Sequence, residues 1–264
     1  MTDESPDRIS GSLDLLESAA GRVKTHLDRR GTAGLGELLE AIVAEHPSMA
    51  LRINLARAVR DGMSRGRDGA VEALDQFLLG LVRSRLMAAA GFAALVHEGR
   101  WTRVATYSRS GQVRECLTAA RGAGLSEVLV SEGRPAGEGL ILAGELRGEG
   151  LAVTLTTDAS LFSLLPAVHA LVVGADACFG EGFANKVGTA ALLREARALG
   201  VPAVVLALPE KRLDGPTAAE WRNLPLDKPP RLGKLPRGAV WAGELFEVVP
   251  WDLVTHPIGK GAPA

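Results

Sequence analysis

The sequence predicts an α/β protein: an N-terminal helical domain followed by a Rossmann-like parallel sheet with helices on both faces. Three observations carry that expectation. Over the first hundred residues, apolar side chains recur at three- and four-residue steps, the stripe of an amphipathic helix. Beyond Trp101, short runs rich in Val, Thr and Leu alternate with helical stretches, which argues for parallel strands joined by helical crossovers. Hydrophobic residues make up 47% of the 264 positions, enough to bury a core of that size.

The helices come first. Leu13, Leu16, Ala20, Val23 and Leu27 form one stripe, and Leu35, Leu38, Leu39, Ile42 and Val43 a second. Pro47 and Ser48 interrupt the pattern. Leu51, Leu55 and Val59 begin a third stripe, and an apolar-rich stretch from Ala70 to about Leu95 closes at Gly99. Residues 10–99 therefore read as four helices, and the chain divides into a helical domain, 1–99, and a second domain, 100–264. Candidate strands follow at 103–107, 127–131, 152–156, 170–173 and 203–206. Candidate helices lie between them at 112–121, 139–147, 161–165 and 186–199. Crossovers are expected to be right-handed. The proline-rich residues 214–236 read as a long ordered loop, and 239–241 and 246–249 as short extended pieces.

Composition narrows the function classes. A net charge of −1 supplies no electrostatic pull toward nucleic acid or an anionic membrane. Trp101, Trp221, Trp241 and Trp251 are too scattered for a base-stacking platform. Cys116 and Cys178 are the two cysteines; no zinc spacing or disulfide framework is present, which fits a reducing compartment. The first ten residues lack the apolar core of a signal peptide, and no run of ~18 apolar residues suggests a membrane-spanning helix. The expectation is a cytoplasmic protein without metal or cofactor.

Three loops hold unusual content. Thr106-Tyr107-Ser108-Arg109-Ser110-Gly111 stands between a strand and a helix. It reads either as an anion cradle of backbone N–H groups or as an N-cap by Ser110 with Arg109 exposed. Ser131 to Gly139 carries three glycines, Arg134, Glu132 and Glu138; its plainer reading is a tight turn with an ion pair from Arg134 to one of those glutamates. The third, Gly174 to Thr189, follows the most apolar strand. Asp176 leaves a buried strand end there, where a carboxylate either caps backbone donors or does acid/base work. Asn185 and Lys186 are expected to open the next helix, where a lysine is electrostatically disfavoured unless an anion is near.

These loops resemble signatures of one family. Gly174-Ala175-Asp176 with Asn185-Lys186-Val187-Gly188-Thr189 resembles "GAD…NKIGT". Glu132-Gly133-Arg134-Pro135 with Gly139 resembles "TExRPxxQG", and Asp158 resembles "xxDSA". Tyr107-Ser108-Arg109 resembles "THAYSR", and Phe246-Glu247 with Pro250 resembles "F[DE]xxP". The family joins ribose-1,5-bisphosphate and methylthioribose-1-phosphate isomerases to the regulatory subunits of translation initiation factor 2B. The resemblance implies Asp176 as catalytic acid/base, with Asn185, Lys186, Lys211, Arg134, Ser108 and Arg109 around a phosphorylated sugar or nucleotide. It points to Arg30-Gly31 as a further phosphate contact in the helical domain, and it implies a homodimer or higher oligomer.

The sequence departs from the family pattern at the isomerase cysteine, at the glutamine of the second motif, and at a C-terminal "TExG" that is not recognisable in Ile258-Gly259-Lys260-Gly261. The isomerase branch carries a cysteine in "THCxS", and Thr106 falls at its position. A threonine hydroxyl cannot replace a thiol, whose pKa is about 8.5, as proton carrier near neutrality. The glutamine of the second motif is Glu138. Two readings follow: an aldose–ketose isomerase in which Asp176 works with another group, Cys178 being one option, or a non-catalytic ligand-sensing or regulatory subunit.

Overall fold

The computed structural model describes residues 12–215, 218–222, 236–240 and 242–259. Four α-helices come first: α1 Ser12–Arg30, α2 Leu35–Glu45, α3 Ala50–Gly62 and α4 Gly66–Gly99. All five residues of the first sequence stripe, Leu13 to Leu27, are buried, so the periodicity marked the packed face. The helical stretch Ala50–Gly99 is apolar enough, by length and composition, to cross a membrane. The expectation of no such helix rested on unbroken apolar runs and did not register this. In the fold, α4 buries Leu74, Leu81, Phe92 and Val96 and exposes Leu79, Val82, Leu86 and Met87.

Strands and helices then alternate: β1 Arg103–Thr106, α5 Gly111–Ala119, β2 Glu127–Ser131, α6 Glu138–Gly148, β3 Ala152–Thr156, α7 Asp158–Leu164, β4 Leu171–Gly174, β5 Ala177–Cys178, β6 Gly182–Lys186, α8 Thr189–Ala198, β7 Ala203–Leu206, α9 Ala218–Arg222, β8 Phe246–Pro250 and β9 His256–Ile258. A six-stranded sheet has the order β3-β2-β1-β4-β7-β9, and every pairing in it is parallel. Alternate strand residues face opposite sides. Val104, Val128, Val130, Val172 and Val204 share one core with α1–α6. Ala105, Leu129, Leu171, Val173 and Val205 share the other with α7 and α8. Each fully buried Val or Leu contributes roughly 1.5–3 kcal/mol relative to exposure.

A second sheet, β5-β6-β8, is antiparallel. Here the structure corrects the reading of Asn185 and Lys186: both lie in β6, and the helix starts at Thr189. Gly188 stops the strand at φ +101, and an added Cβ there would lie 2.9 Å from the Tyr107 hydroxyl. Glu247 on β8 accepts from the N–H groups of Gly188 and Ala190, both at 2.8 Å, and so supplies the anion at the start of α8. Ala239 and Val240 are not in a strand, and Trp241 lies outside the described residues. Residues 218–222 of the expected proline-rich loop are helical, and most of its remainder lies outside the described residues. The edge strand β9 was not foreseen. Pro257 in its middle argues against a central strand, but an edge tolerates proline.

Candidate functional site

The strand order places a crevice. From β1 the chain moves outward through β2 and β3, then returns to β4 on the other side of β1 and continues through β7 and β9. Loops leaving β1 and β4 diverge at such a switch point, where open α/β sheets bind ligands. A cleft of about 600 Å³, including its open mouth, lies there. Its wall includes Tyr107, Ser108, Arg109 and Ser110 after β1, Gly174 to Asp176 after β4, Asn185 and Lys186 on β6, and Glu138 at the start of α6. Ser12 and Met49 bring in the helical region.

Lys186 and Glu138 form the tightest feature. The Nζ of Lys186 lies 2.5 Å from Glu138 Oε1, and the two residues are 4% and 6% exposed. Ser108 Oγ donates to the same oxygen at 2.7 Å. Glu138 Oε2 is buried with no hydrogen-bond partner. Gly139 fixes this corner, because a Cβ there would stand 1.8 Å from the Ser131 carbonyl oxygen. The Tyr107 hydroxyl donates to the Val187 carbonyl at 2.5 Å. Burial, with Asp158, Glu138 and Glu247 nearby, pushes this phenol up, so it stays neutral.

Asp176 is half-buried on the wall. Its N–H donates to the Ala184 carbonyl and its own carbonyl accepts from Ala50 N–H, at 2.8 and 3.1 Å, which ties the β4 loop to β6 and to the start of α3. Asn185 Nδ2 donates to Thr189 Oγ1 at 3.1 Å. Lys211 is fully buried and is not part of the wall. Its Nζ donates to the Ala175 carbonyl at 2.5 Å and to Ser12 Oγ at 3.2 Å, bracing the loop that carries Asp176. Burial pulls its pKa down, opposed by the charge of Asp176.

The other expected site residues divide. Arg109 reaches the wall but is ion-paired with Glu145 at 2.7 Å and Asp14 at 2.8 Å. The alternative of an exposed Arg109 therefore does not describe it. Ser110 does cap α5, accepting from Val113 N–H at 3.4 Å. Arg134 does not line the cleft and is paired with Glu132 at 3.1 Å. Its backbone N–H and that of Gly133 donate to the two oxygens of Asp158, at 2.6 and 2.8 Å. Arg30 and Gly31 follow one another at the end of α1, and Arg30 lines a separate surface groove with Arg22, His26 and Arg29. Neither contributes to the cleft wall.

Among the described residues, which include both cysteines, no thiol lines the cleft. Thr106 is buried, with its hydroxyl unpartnered. Cys178 is completely buried, and burial pushes its thiol up to about 12. It is therefore not the proton carrier sought for the Thr106 position. Among the described residues, no His/Cys/Asp/Glu cluster suited to a metal ion is present.

Residues 21–216 match the model of the initiation factor 2 subunit family. The chain belongs to that family. Three relatives show the range within it. A ribose 1,5-bisphosphate isomerase of Haloferax volcanii is 28% identical over 75% of this chain, which spans 65% of that relative's length. A putative translation initiation factor eIF-2B subunit 2-like protein of Pyrococcus horikoshii is 30% identical over 83% of this chain and 76% of its own. The crystal structure of a translation initiation factor eIF-2B from Pyrococcus horikoshii OT3 superposes with a TM-score of 0.82 at 28% identity, covering 96% of this chain and 91% of that one.

Sequence reasoning did not place Tyr107, Glu138 or Ser110 in a common wall. The signal for Glu138 was available, as a carboxylate at a motif position otherwise held by glutamine.

Proposed function

We propose that this chain is a ligand-binding member of the family whose cleft takes a small phosphorylated sugar or nucleotide and does not isomerise it by a thiol. One observation carries the reading: the switch-point cleft gathers Ser108, Arg109, Asp176, Asn185 and Lys186 while no cysteine reaches its wall. Aldose–ketose exchange moves a proton from C2 to C1 of the opened sugar. With Thr106 and Cys178 both buried, Asp176 alone would have to take that proton and return it. The second reading, an isomerase with Asp176 as acid/base, is favoured by the position of that carboxylate on the wall. In either case Asn185 and Lys186 bind the ligand, Lys211 holds the Asp176 loop, and Arg134, Arg30 and Gly31 have no part in the cleft.

The same reading treats 1–99 and 100–264 as two domains of one cytoplasmic protein. Neither nucleic acid nor membrane is a partner. It also has the chain form a homodimer or larger assembly, for which the exposed stripe Leu79, Val82 and Leu86 on α4 offers a surface.

Thermal-shift measurements with ribose 5-phosphate, ribose 1,5-bisphosphate, methylthioribose 1-phosphate and AMP, followed by NMR of each hit, test it. A ligand at 100 times its Kd stabilises the fold by about 2.7 kcal/mol. Binding with no change in the ligand's spectrum is the expected result. Conversion that disappears in Asp176→Asn establishes the isomerase instead. The absence of any shift overturns both readings.

A further inference from the structure

Among the described residues the cleft wall carries two cations, Arg109 and Lys186, and the chain's own carboxylates hold both. Arg109 is gripped by Glu145 of α6 and Asp14 of α1. Lys186 is paired with Glu138. An anion entering the cleft must therefore compete for a cation that is already neutralised. Lys186 is the weaker hold, because its ammonium has three donors and Glu138 Oε1 takes one of them.

The Glu138 carboxylate sits as a bound anion would. Its Oε1 accepts from Lys186 Nζ at 2.5 Å and from Ser108 Oγ at 2.7 Å, so donors from β6 and from the loop after β1 converge on one oxygen. All three residues line the cleft. The fit is incomplete, because Oε2 is buried without a donor, and a buried acceptor left unmet costs free energy. Turned into water, both oxygens are hydrated, which offsets part of the loss of the ion pair. Glu138 is the first residue of α6, and rotation of its side chain leaves the helix hydrogen bonds untouched. A phosphate makes a better occupant: it carries more charge than a carboxylate and three strong acceptor oxygens, enough to serve Lys186 and Ser108 together.

We propose that Glu138 is a built-in competitor of the ligand. Its carboxylate occupies the Lys186–Ser108 position that the ligand's phosphate takes, and the phosphate binds by displacing it. This rests on the reading that the cleft binds a phosphorylated sugar or nucleotide, and names the residue that sets how tightly. Apparent affinity falls in proportion to the fraction of molecules whose binding position is free. With Glu138 in place in more than about nine molecules of ten, removing its charge tightens phosphate binding about tenfold or more.

Isothermal titration of the full chain with ribose 5-phosphate and with AMP tests the proposal, for wild type, Glu138→Gln and the double variant Glu138→Gln/Lys186→Met. The glutamine is neutral and cannot hold the ammonium as an ion pair. Glu138→Gln is expected to bind one or both compounds at least about tenfold more tightly than wild type. The double variant is expected to lose that gain, which separates displacement at Lys186 from the removal of a negative charge anywhere on the wall. Unchanged or weaker binding by Glu138→Gln overturns the proposal, and so does a gain that survives without Lys186. Glu138→Asp, which draws the carboxylate back by one methylene, decides the question if the glutamine variant fails to fold. It is expected to tighten binding at least about threefold, and the absence of a gain overturns the proposal. Wild-type binding that no variant improves sinks only this inference. If neither compound binds any of the proteins, the ligand-binding reading fails and takes the inference with it.

Discussion

The three carboxylates near Tyr107 are used in two different ways. Asp158 gives one oxygen each to the N–H groups of Gly133 and Arg134, and Glu247 receives two N–H groups at the start of α8. Glu138, on the cleft wall, gives one oxygen to Lys186 and Ser108 and keeps the other buried without a donor. Saturated carboxylates of the first kind hold loops in place. An unsaturated one costs stability.

The largest expected effect comes from the scaffold that carries Glu138. Gly139→Ala would set a Cβ against the Ser131 carbonyl, so the start of α6 must move and carry Glu138 with it. A loss of about 2–4 kcal/mol is expected in urea denaturation; a change under about 0.5 kcal/mol would mean the approach is not tight. Asp158→Ala comes next. It leaves the N–H groups of Gly133 and Arg134 without acceptors and should cost about 2 kcal/mol in the same denaturation; an unchanged stability would mean that these two bonds do not hold the loop. The smallest effect is on the thiols. With a pKa near 12, on the order of one Cys178 in ten thousand is ionised at pH 8, and burial removes access. Iodoacetamide should leave both cysteines unmodified in the native protein, read by intact mass. Rapid labelling of Cys178 would restore it as a candidate proton carrier.

The parallel sheet was legible in the sequence because its elements obey simple periods. Strands 127–131, 152–156 and 203–206 fall where their Val-, Thr- and Leu-rich runs stand, and the stripe from Leu13 to Leu27 packs as its spacing requires. Of the small sheet only β8 was legible, as the extended piece 246–249. The run Gly182 to Lys186 has no alternation to read, since all five residues are buried, and its partner β8 lies some sixty residues further on. A long-range antiparallel pairing leaves no local signature. Lys186 therefore looked like a residue misplaced at a helix start, whereas it is a strand residue neutralised by Glu138. That ion pair joins positions 48 residues apart and could not be read from either neighbourhood. The Asp176 loop and the Tyr107-Ser108-Arg109 turn were recognisable as a pair because both follow apolar strands, and the strand order brings them together.

The most direct test is a crystal structure of the protein with ribose 5-phosphate bound. The sugar phosphate is expected in the switch-point cleft, in contact with Asn185 and Lys186. A ligand bound elsewhere, with the cleft empty, would contradict the proposed function.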